Sequence, residues 1–359
     1  MSGHHADASD NGTRPDTQQG EAPRVLTPEA PPPAPAAGSG IRSRRFWYSA
    51  VSRLGESLLV ALIVVTLSFV LVHLVPGDPA QTILGVRASP EKVAALRAEL
   101  GLDEPLWRQY LAYMSGIVRG DLGDSASRQG FSVAELLLPP LGVTMAVIGL
   151  TTVLSVVGGT ATGIMAAFSR RRSLRALLEL GSTTALATPP FLFGLVLLAV
   201  VAVQAGLAPA GGWGHDWPGH LAYLWLPSLA LTAYLGALVH RAVHTSAKEV
   251  MRQDFVEASF LRGQSPLRVA LRHVLPNSLL PTITVVGLNI GTLVGGAAVI
   301  EAVFDLPGIG TQVVNAVSQR DYPTIQGAAV ITALVVIAGN LLADLMYAVV
   351  DPRAGTHGD

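Results

Sequence analysis

The sequence contains no cysteine, which removes disulfides, thiolate metal sites and cysteine nucleophiles together. Charge is scarce as well. Asp, Glu, Lys and Arg make up 14% of the 359 residues, against about 25% in an ordinary soluble domain. Half of the residues are hydrophobic and the mean hydropathy is +0.46. A chain so long and so poor in charge needs an apolar solvent, which a bilayer supplies. The formal net charge is −1, so no basic excess exists to displace counterions from a nucleic acid. The two lysines, Lys92 and Lys248, follow Glu91 and Ala247, so neither belongs to a G-x-x-x-x-G-K-[ST] phosphate loop. Nor is there an H-E-x-x-H pair or a G-x-S-x-G elbow, which excludes zinc-protease and α/β-hydrolase chemistry of those types. No catalytic residue, metal site or cofactor is expected.

What is present is a series of apolar runs. Residues 1–45 form a tail whose Pro/Ala-rich part, Ala30 to Gly40, lacks apolar periodicity and is expected to be disordered. His4 and His5 lie in it, and two neighbouring histidines in such a tail are read as incidental and not as a metal site. Uncharged stretches then run from Ser57 to Gly77, Leu136 to Ser169, Leu180 to His215, Trp217 to His240, His273 to Ile300 and Tyr322 to Ala343. Each is long enough to cross the hydrocarbon core, which takes about 20 residues. The third is longer than one span needs, and Pro189-Pro190 predicts a break within it. Aromatics are only 6% of the chain, yet Phe46, Trp47 and Tyr48 precede the first run, and Trp217, Tyr223 and Trp225 open the fourth. Such rings favour the headgroup layer. Arginines cluster at 42–53, 170–175 and 241–272, whereas 205–223 has no Lys or Arg and 303–325 has only Arg320. The alternation fits six spans with both termini in the cytoplasm.

Two polar stretches carry helical patterns. In the segment 78–135, placed outside the cell, Ser89-Pro90-Glu91 opens a helix and Gly101 closes it. A second helix is expected from about Pro105 to Val118. On the cytoplasmic side, Ala247, Val250, Met251, Phe255, Ala258 and Leu261 fall at helical spacing and predict one continuous apolar stripe. Gly263 stops that helix, Ser265-Pro266 starts another, and Pro276 interrupts it before the fifth run. Such a helix pair suits either a membrane surface or a soluble partner.

The string Glu257-Ala258-Ser259-Phe260-Leu261-Arg262-Gly263 resembles the E-A-A-x-x-x-G signature of binding-protein-dependent ABC permeases, with Ser at the third position. The continuation from Arg268 to Asn277 resembles the dipeptide/oligopeptide (nickel/peptide) branch of that family. So do Pro76-Gly77-Asp78-Pro79-Ala80, Gly120-Asp121-Leu122-Gly123, Leu306-Pro307-Gly308-Ile309-Gly310, Arg320-Asp321-Tyr322-Pro323 and Asn340-Leu341-Leu342-Ala343-Asp344. The resemblance covers about residues 46–353. It implies an all-α membrane protein of about six transmembrane helices with the type I ABC importer permease fold. A small extracytoplasmic helical segment would follow the first span. Residues 46–135 would be the first span and that segment, 136–351 the permease core, and 352–359 a C-terminal tail. It further implies a permease subunit in a bacterial cytoplasmic (inner) membrane. Its partners would be a second homologous permease, two ATPase subunits, an external solute-binding protein and the lipid bilayer. Glu257, Ala258, Ser259, Gly263 and Pro276 would belong to the cytoplasmic loop at 246–276 that couples ATP hydrolysis to the spans. Peptides lead as solute, with nickel chelates, glutathione and sugars carried by relatives.

One feature favours another class. Asp344 interrupts the last apolar run, and an intramembrane carboxylate often marks a proton or ion relay. The alternative expectation is therefore a proton-coupled secondary transporter using Asp344.

Overall fold

The computed structural model describes residues 39–74, 79–84, 88–99, 101–128 and 130–350. Apart from a single bridge between Asp124 and Ser132, the described regular structure is helical. Helix α1 (Ser39–Leu74) is followed by the short α2 (Pro79–Leu84), α3 (Pro90–Glu99) and α4 (Leu106–Val118). Then come α5 (Val133–Phe168), α6 (Arg172–Ala187) and α7 (Pro190–Leu197), which continues as a π-helix to Gln204. Helix α8 (Trp217–Val250) leads into α9 (Asp254–Leu261) and α10 (Pro266–Val269). A π-helical turn (Ala270–Val274) joins α10 to α11 (Leu275–Ser278) and α12 (Leu280–Leu288). Helices α13 (Ile290–Val303), α14 (Ile309–Gln319) and α15 (Tyr322–Val350) complete the chain.

Four stretches are long and apolar enough to span a bilayer: Gly55–Leu74 of α1, α5, α8 and Tyr322–Met346 of α15. Two bent pairs bring the number up to six if each counts as one span. Arg172–Ala187 and Pro190–Gln204 meet at 107°, and Pro266–Ser278 and Leu280–Leu288 at 44°. The first bend falls at Pro189, as the sequence predicts. The expected fifth run is divided differently. The chain stays helical past Pro276 and bends at Leu279, and a second break follows at Asn289, in a Gly287–Gly291 stretch of weak helix formers. Helix α1 begins at Ser39, so residues 39–45, expected within the disordered tail, are helical; residues 1–38, with His4 and His5, and 352–359 lie outside the described residues.

The centre of the bundle is the α5–α8 pair. Small residues recur every fourth position on the buried side of α5: Thr151, Ser155, Gly159 and Gly163. In lipid no hydrophobic drive separates one apolar surface from another, so close backbone approach decides which helices associate. Here the approach leaves no room for a side chain. A Cβ on Gly159 would sit 2.6 Å from the Gly236 carbonyl oxygen and 2.7 Å from Val239 Cβ; one on Gly163 would sit 2.9 Å from the His240 carbonyl oxygen. Two hydroxyls of the seam are satisfied across it. Thr151 Oγ1 donates to the Ser228 carbonyl at 3.3 Å, and Ser228 Oγ to the Val147 carbonyl at 3.4 Å. A core of Val143, Val147, Leu224, Leu226, Ile300 and Phe304 closes one end of the pair. Helix α1 packs against α15: Val65 and Ser68 are buried, and the Ser68 carbonyl accepts from Gln326 Nε2 at 3.2 Å.

The segment between α4 and α5 is tied to the bundle by one carboxylate. Asp321 is buried at the start of α15. It accepts hydrogen bonds from the hydroxyls of Ser125 and Ser127, the latter at 2.7 Å, and from the backbone N–H groups of Ala126 at 3.0 Å and Thr324 at 3.3 Å. Ser132 then caps α5 in a reciprocal box with Glu135, which fixes where that helix starts. Burial pushes the Asp321 carboxyl up, but the donors from Ser125, Ser127, Ala126 and Thr324 outweigh it and hold the carboxyl below its ordinary value.

Two outcomes are expected. Gly159→Leu forces α5 and α8 apart and lowers the melting temperature of the purified protein, by about 1–3 kcal/mol or more of stability, while Gly158→Ala, whose Cβ meets nothing within 4 Å, leaves it unchanged. Because the folded carboxyl of Asp321 is depressed, its contribution is complete above the unfolded value near 3.8 and fades as pH falls through the folded value. Asp321→Asn should therefore remove about 1.5–3 kcal/mol at neutral pH and flatten the acid limb of a stability-against-pH curve.

Candidate functional site

Residues 251–278 form a compact helical loop against the ends of α5 and α8. Its inner side is apolar: Val256, Val269 and Val274 join Ala247 and Val250 of α8, with Ile164, Ala167 and Phe168 of α5 alongside. The single stripe expected from 247 to 261 is interrupted. Helix α8 stops at Val250, Met251 to Gln253 turn, and α9 restarts at Asp254. The restart rotates the second helix, so Val256 and Ser259 face inward. Phe255, Phe260 and Leu261, which periodicity would bury in part, are left at the surface. Sequence alone gave no sign of this break, since neither Gly nor Pro occurs at 251–253.

Gly263 is where the pattern points. Its φ of +76° lies in the left-handed region. Its N–H donates to the Phe260 carbonyl at 2.9 Å and the Gln264 N–H to the Ser259 carbonyl at 3.3 Å, the paired bonds of a Schellman end. Ser265 then caps α10 by accepting from the Arg268 N–H at 3.4 Å, with Pro266 in the first turn. The two halves meet through the Phe255 and His273 rings, whose centroids lie 6.3 Å apart edge to face.

The five residues singled out by motif divide by position. Glu257, Gly263 and Pro276 are exposed, Ala258 is half-buried and Ser259 is buried. The Ser259 hydroxyl donates to the Phe255 carbonyl at 2.8 Å, so a Ser fits a position shaped for Ala without leaving an unpaired group. Around Glu257 and Gly263 the outer face is largely apolar: Phe255, Phe260, Leu261 (83% exposed), Leu267 (69%) and Leu271. Exposed apolar side chains in such number, interspersed with the exposed Arg252, Arg262, Arg268 and Arg272, make this face a candidate interaction site.

Two buried polar groups escaped the sequence reading. His240 and His244 lie one turn apart on the buried side of α8, ring centroids 5.8 Å apart. His240 Nδ1 is 3.0 Å from Thr162 Oγ1, and His244 Nδ1 is 3.9 Å from Glu179 Oε1. Nothing local to the sequence pairs them. The other is Glu301, fully buried near the end of α13. Its Oε1 accepts from Thr144 Oγ1 at 2.6 Å and its Oε2 from the Gly310 N–H at 2.8 Å. Thr144 Oγ1 also accepts from the Ile309 N–H at 3.0 Å. Helix α14 thus has two of its orphan N-terminal donors satisfied by side chains of α5 and α13. The turn can approach only because residue 308 is glycine, where a Cβ would lie 2.1 Å from Glu301 Cδ. The one signal in the sequence is that Glu301 ends the fifth uncharged run, directly before the Leu306–Gly310 string. An apolar hollow of about 620 Å³ opens between α6, α7 and α8, bordered by Leu177, Leu180, Thr184, Phe193, Leu229 and Thr232.

These features define a helical, multi-pass membrane protein with an organised loop between its spans and no strand among the described residues beyond one bridge. The chain belongs to the family of binding-protein-dependent transport system inner membrane components, whose profile matches residues 159–356, with the family's N-terminal profile matching 46–143. A Brucella suis protein provisionally named a peptide permease is 38% identical over 307 residues, covering 84% of this chain and 96% of that one. The dipeptide transport system permease DppB of Escherichia coli K12 is 34% identical over 329 residues, covering 84% and 96%. The glutathione transport system permease GsiC of Escherichia coli O6:H1 is 35% identical over 305 residues, covering 84% and 97%. The fold is that of the MetNI methionine ABC transporter in an inward-facing crystal form, at TM-score 0.51 and 18% identity over 60% of this chain and 96% of that one. The protein is accordingly an ABC importer permease in the inner membrane, a transport subunit whose ATPase activity lies in other subunits of the complex. The proton-coupled alternative through Asp344 is not supported: that residue falls within a permease domain energised by ATP, and Asp344 already has an interaction partner.

A double-mutant cycle tests the Glu301 arrangement. Gly308→Ala and Glu301→Ala should each lower the melting temperature. Their combination should cost less than the sum, with a coupling of about 0.5–3 kcal/mol, because removing the carboxylate vacates the space that the new methyl group needs.

Proposed function

We propose that this permease translocates peptides or a similar small solute, and that residues 251–278 are the surface through which a separate ATPase drives it. The observation that carries the coupling assignment is the exposed apolar face of Phe255, Phe260, Leu261, Leu267 and Leu271 beside Glu257 and Gly263. A loop resting in lipid would not need a rigid Schellman turn at its most exposed point, whereas a docking knob does. Ala258 and Ser259 are small residues that keep α9 close to the bundle, so motion of the knob reaches α5 and α8 directly. Pro276 stands where the loop re-enters the spans. The names of the relatives, two of them peptide or dipeptide permeases, support a peptide-like solute; the glutathione permease widens that to short γ-linked peptides.

The remaining assignments belong to the same proposal. A second homologous permease, two ATPase subunits and an extracytoplasmic solute-binding protein complete the transporter. Both termini and the 251–278 loop lie in the cytoplasm, which the arginine clusters at 170–175 and 241–272 support. The chain divides near residue 135 into a first span with its outer segment and a permease core ending at about 351. The family profiles at 46–143 and 159–356 favour a boundary in that region.

Co-purification decides the coupling assignment. Leu261 is almost free of contacts, so Leu261→Asp should fold and reach the membrane normally, yet retain roughly tenfold less ATPase, a loss of about 1.4 kcal/mol. Gly263→Arg should do the same through both charge and a strained left-handed backbone. Unchanged ATPase retention by both variants would sink the assignment.

A further inference from the structure

The helix α4 divides into three sectors when its residues are placed at 3.6 per turn. One sector packs on α1: Tyr110 OH is 2.7 Å from Thr66 Oγ1, Gln109 Oε1 is 3.2 Å from His73 Nε2, and the Tyr110 and Tyr113 rings lie 5.3 Å and 5.8 Å from that of Phe69. A second sector holds Arg108, Ala112, Ser115 and Arg119, with Arg108 paired to Glu104 at 2.8 Å. The third is Trp107, Leu111, Met114 and Val118, spaced i, i+4, i+7 and i+11. Trp107, Leu111 and Val118 of that sector are exposed, at 60%, 57% and 83%. No residue of α4 is buried, so this apolar stripe is not part of the protein core.

The contacts with α1 fix the level at which the stripe lies. The membrane span of α1 ends at Leu74. Thr66 stands eight residues before that end, about 12 Å back along the helix axis. Tyr110 therefore reaches α1 well inside the span, and α4 lies beside it. Around α1 from these contacts, Leu67, Val70, Leu71 and Leu74 are exposed, as lipid-facing residues of a span are. The stripe on α4 stands at the depth of that surface. The arginines on the adjoining sector, with the cation of Arg108 over the Trp107 ring at 5.2 Å, suit the headgroup layer beside it.

We propose that α4 is a lipid anchor: Trp107, Leu111, Met114 and Val118 insert into the leaflet from which α1 emerges at Leu74, and Arg108 and Arg119 face its headgroups. The partner is the acyl-chain region of the bilayer, continuous with the lipid contact of α1. The segment after the first span is thus fastened twice, to the bundle by Asp321 and to the membrane by α4.

Because the chain has no cysteine, single cysteines report position without a background on this subunit. Leu111→Cys and Val118→Cys are compared with Ala112→Cys and Ser115→Cys in membranes bearing the complete transporter, using a water-soluble polyethylene-glycol maleimide read as a gel shift of this chain. Only a thiolate reacts, and hydrocarbon suppresses it, so the stripe should label about tenfold more slowly than the polar sector. Total labelling after denaturation in dodecyl sulfate confirms that each variant is present. A photo-reactive benzoylphenylalanine at position 111 should then add the mass of one phospholipid. Equal labelling of the two sectors overturns the proposal by placing the stripe in water. A cross-link from position 111 to another protein chain overturns it by placing a subunit there instead.

Discussion

The whole bundle hangs on how closely two backbones approach. Helices α5 and α8 meet where Gly159 and Gly163 leave no space for a methyl group. A membrane interior supplies no hydrophobic force between helices, so contact at this distance, with hydroxyls paired across it, is what selects this neighbour over lipid. The consequences run to both ends of the pair. At one end, the Val143–Phe304 core gathers α7 and α13 around it. At the other, the last turns of α5 and α8 make the apolar platform on which Val256, Val269 and Val274 rest. The loop is therefore built on the most tightly held element of the structure rather than on a peripheral one. A push on the loop has no compliant layer to dissipate it.

Two buried carboxylates are matched by donors over long sequence separations. Glu301 satisfies α14 from one neighbouring helix while Thr144 does so from another. Asp321 then receives the N–H and hydroxyl groups of a turn nearly two hundred positions earlier. Between them the two carboxylates hold α14 at its beginning and just beyond its end. Both are isolated acids in an apolar surrounding with donors directed at them, which is a positional device.

Much of this was legible where a residue acts locally. Gly101 and Gly263 adopt the positive φ that a helix-ending glycine permits, Pro189 bends the third apolar run, and Pro90, Ser265 and Pro266 stand at helix starts. Local rules failed where tertiary contact decides. Periodicity from Ala247 to Leu261 reads as one helix, yet the platform of α5 captures Val256, and the chain turns at 251–253 to allow it. The π-helical turn at Ala270–Val274 likewise has no local signal, whereas the break at Asn289 falls between Gly287 and Gly291. The partners of Glu301 and the pairing of His240 with Thr162 depend on which helices adjoin, which no single stretch of residues encodes. Of the 251–278 loop, the motif gave the position and the glycine; the outward turn of Phe255, Phe260 and Leu261 came only with the three-dimensional arrangement.

The length of α8 has a mechanical meaning. Its 34 residues amount to a rod of about 50 Å, against a hydrocarbon core of about 30 Å. The rod overhangs the membrane, and its overhanging tip carries the loop. A tilt of about ten degrees around the rod's midpoint displaces that tip by roughly 4 Å, on a half-length of about 25 Å. The same tilt moves the opposite tip, at Trp217, by as much in the other direction. A seesaw of this kind transmits opposite displacements to the two faces of the membrane from one rotation, with no change inside the loop and no strain along the helix.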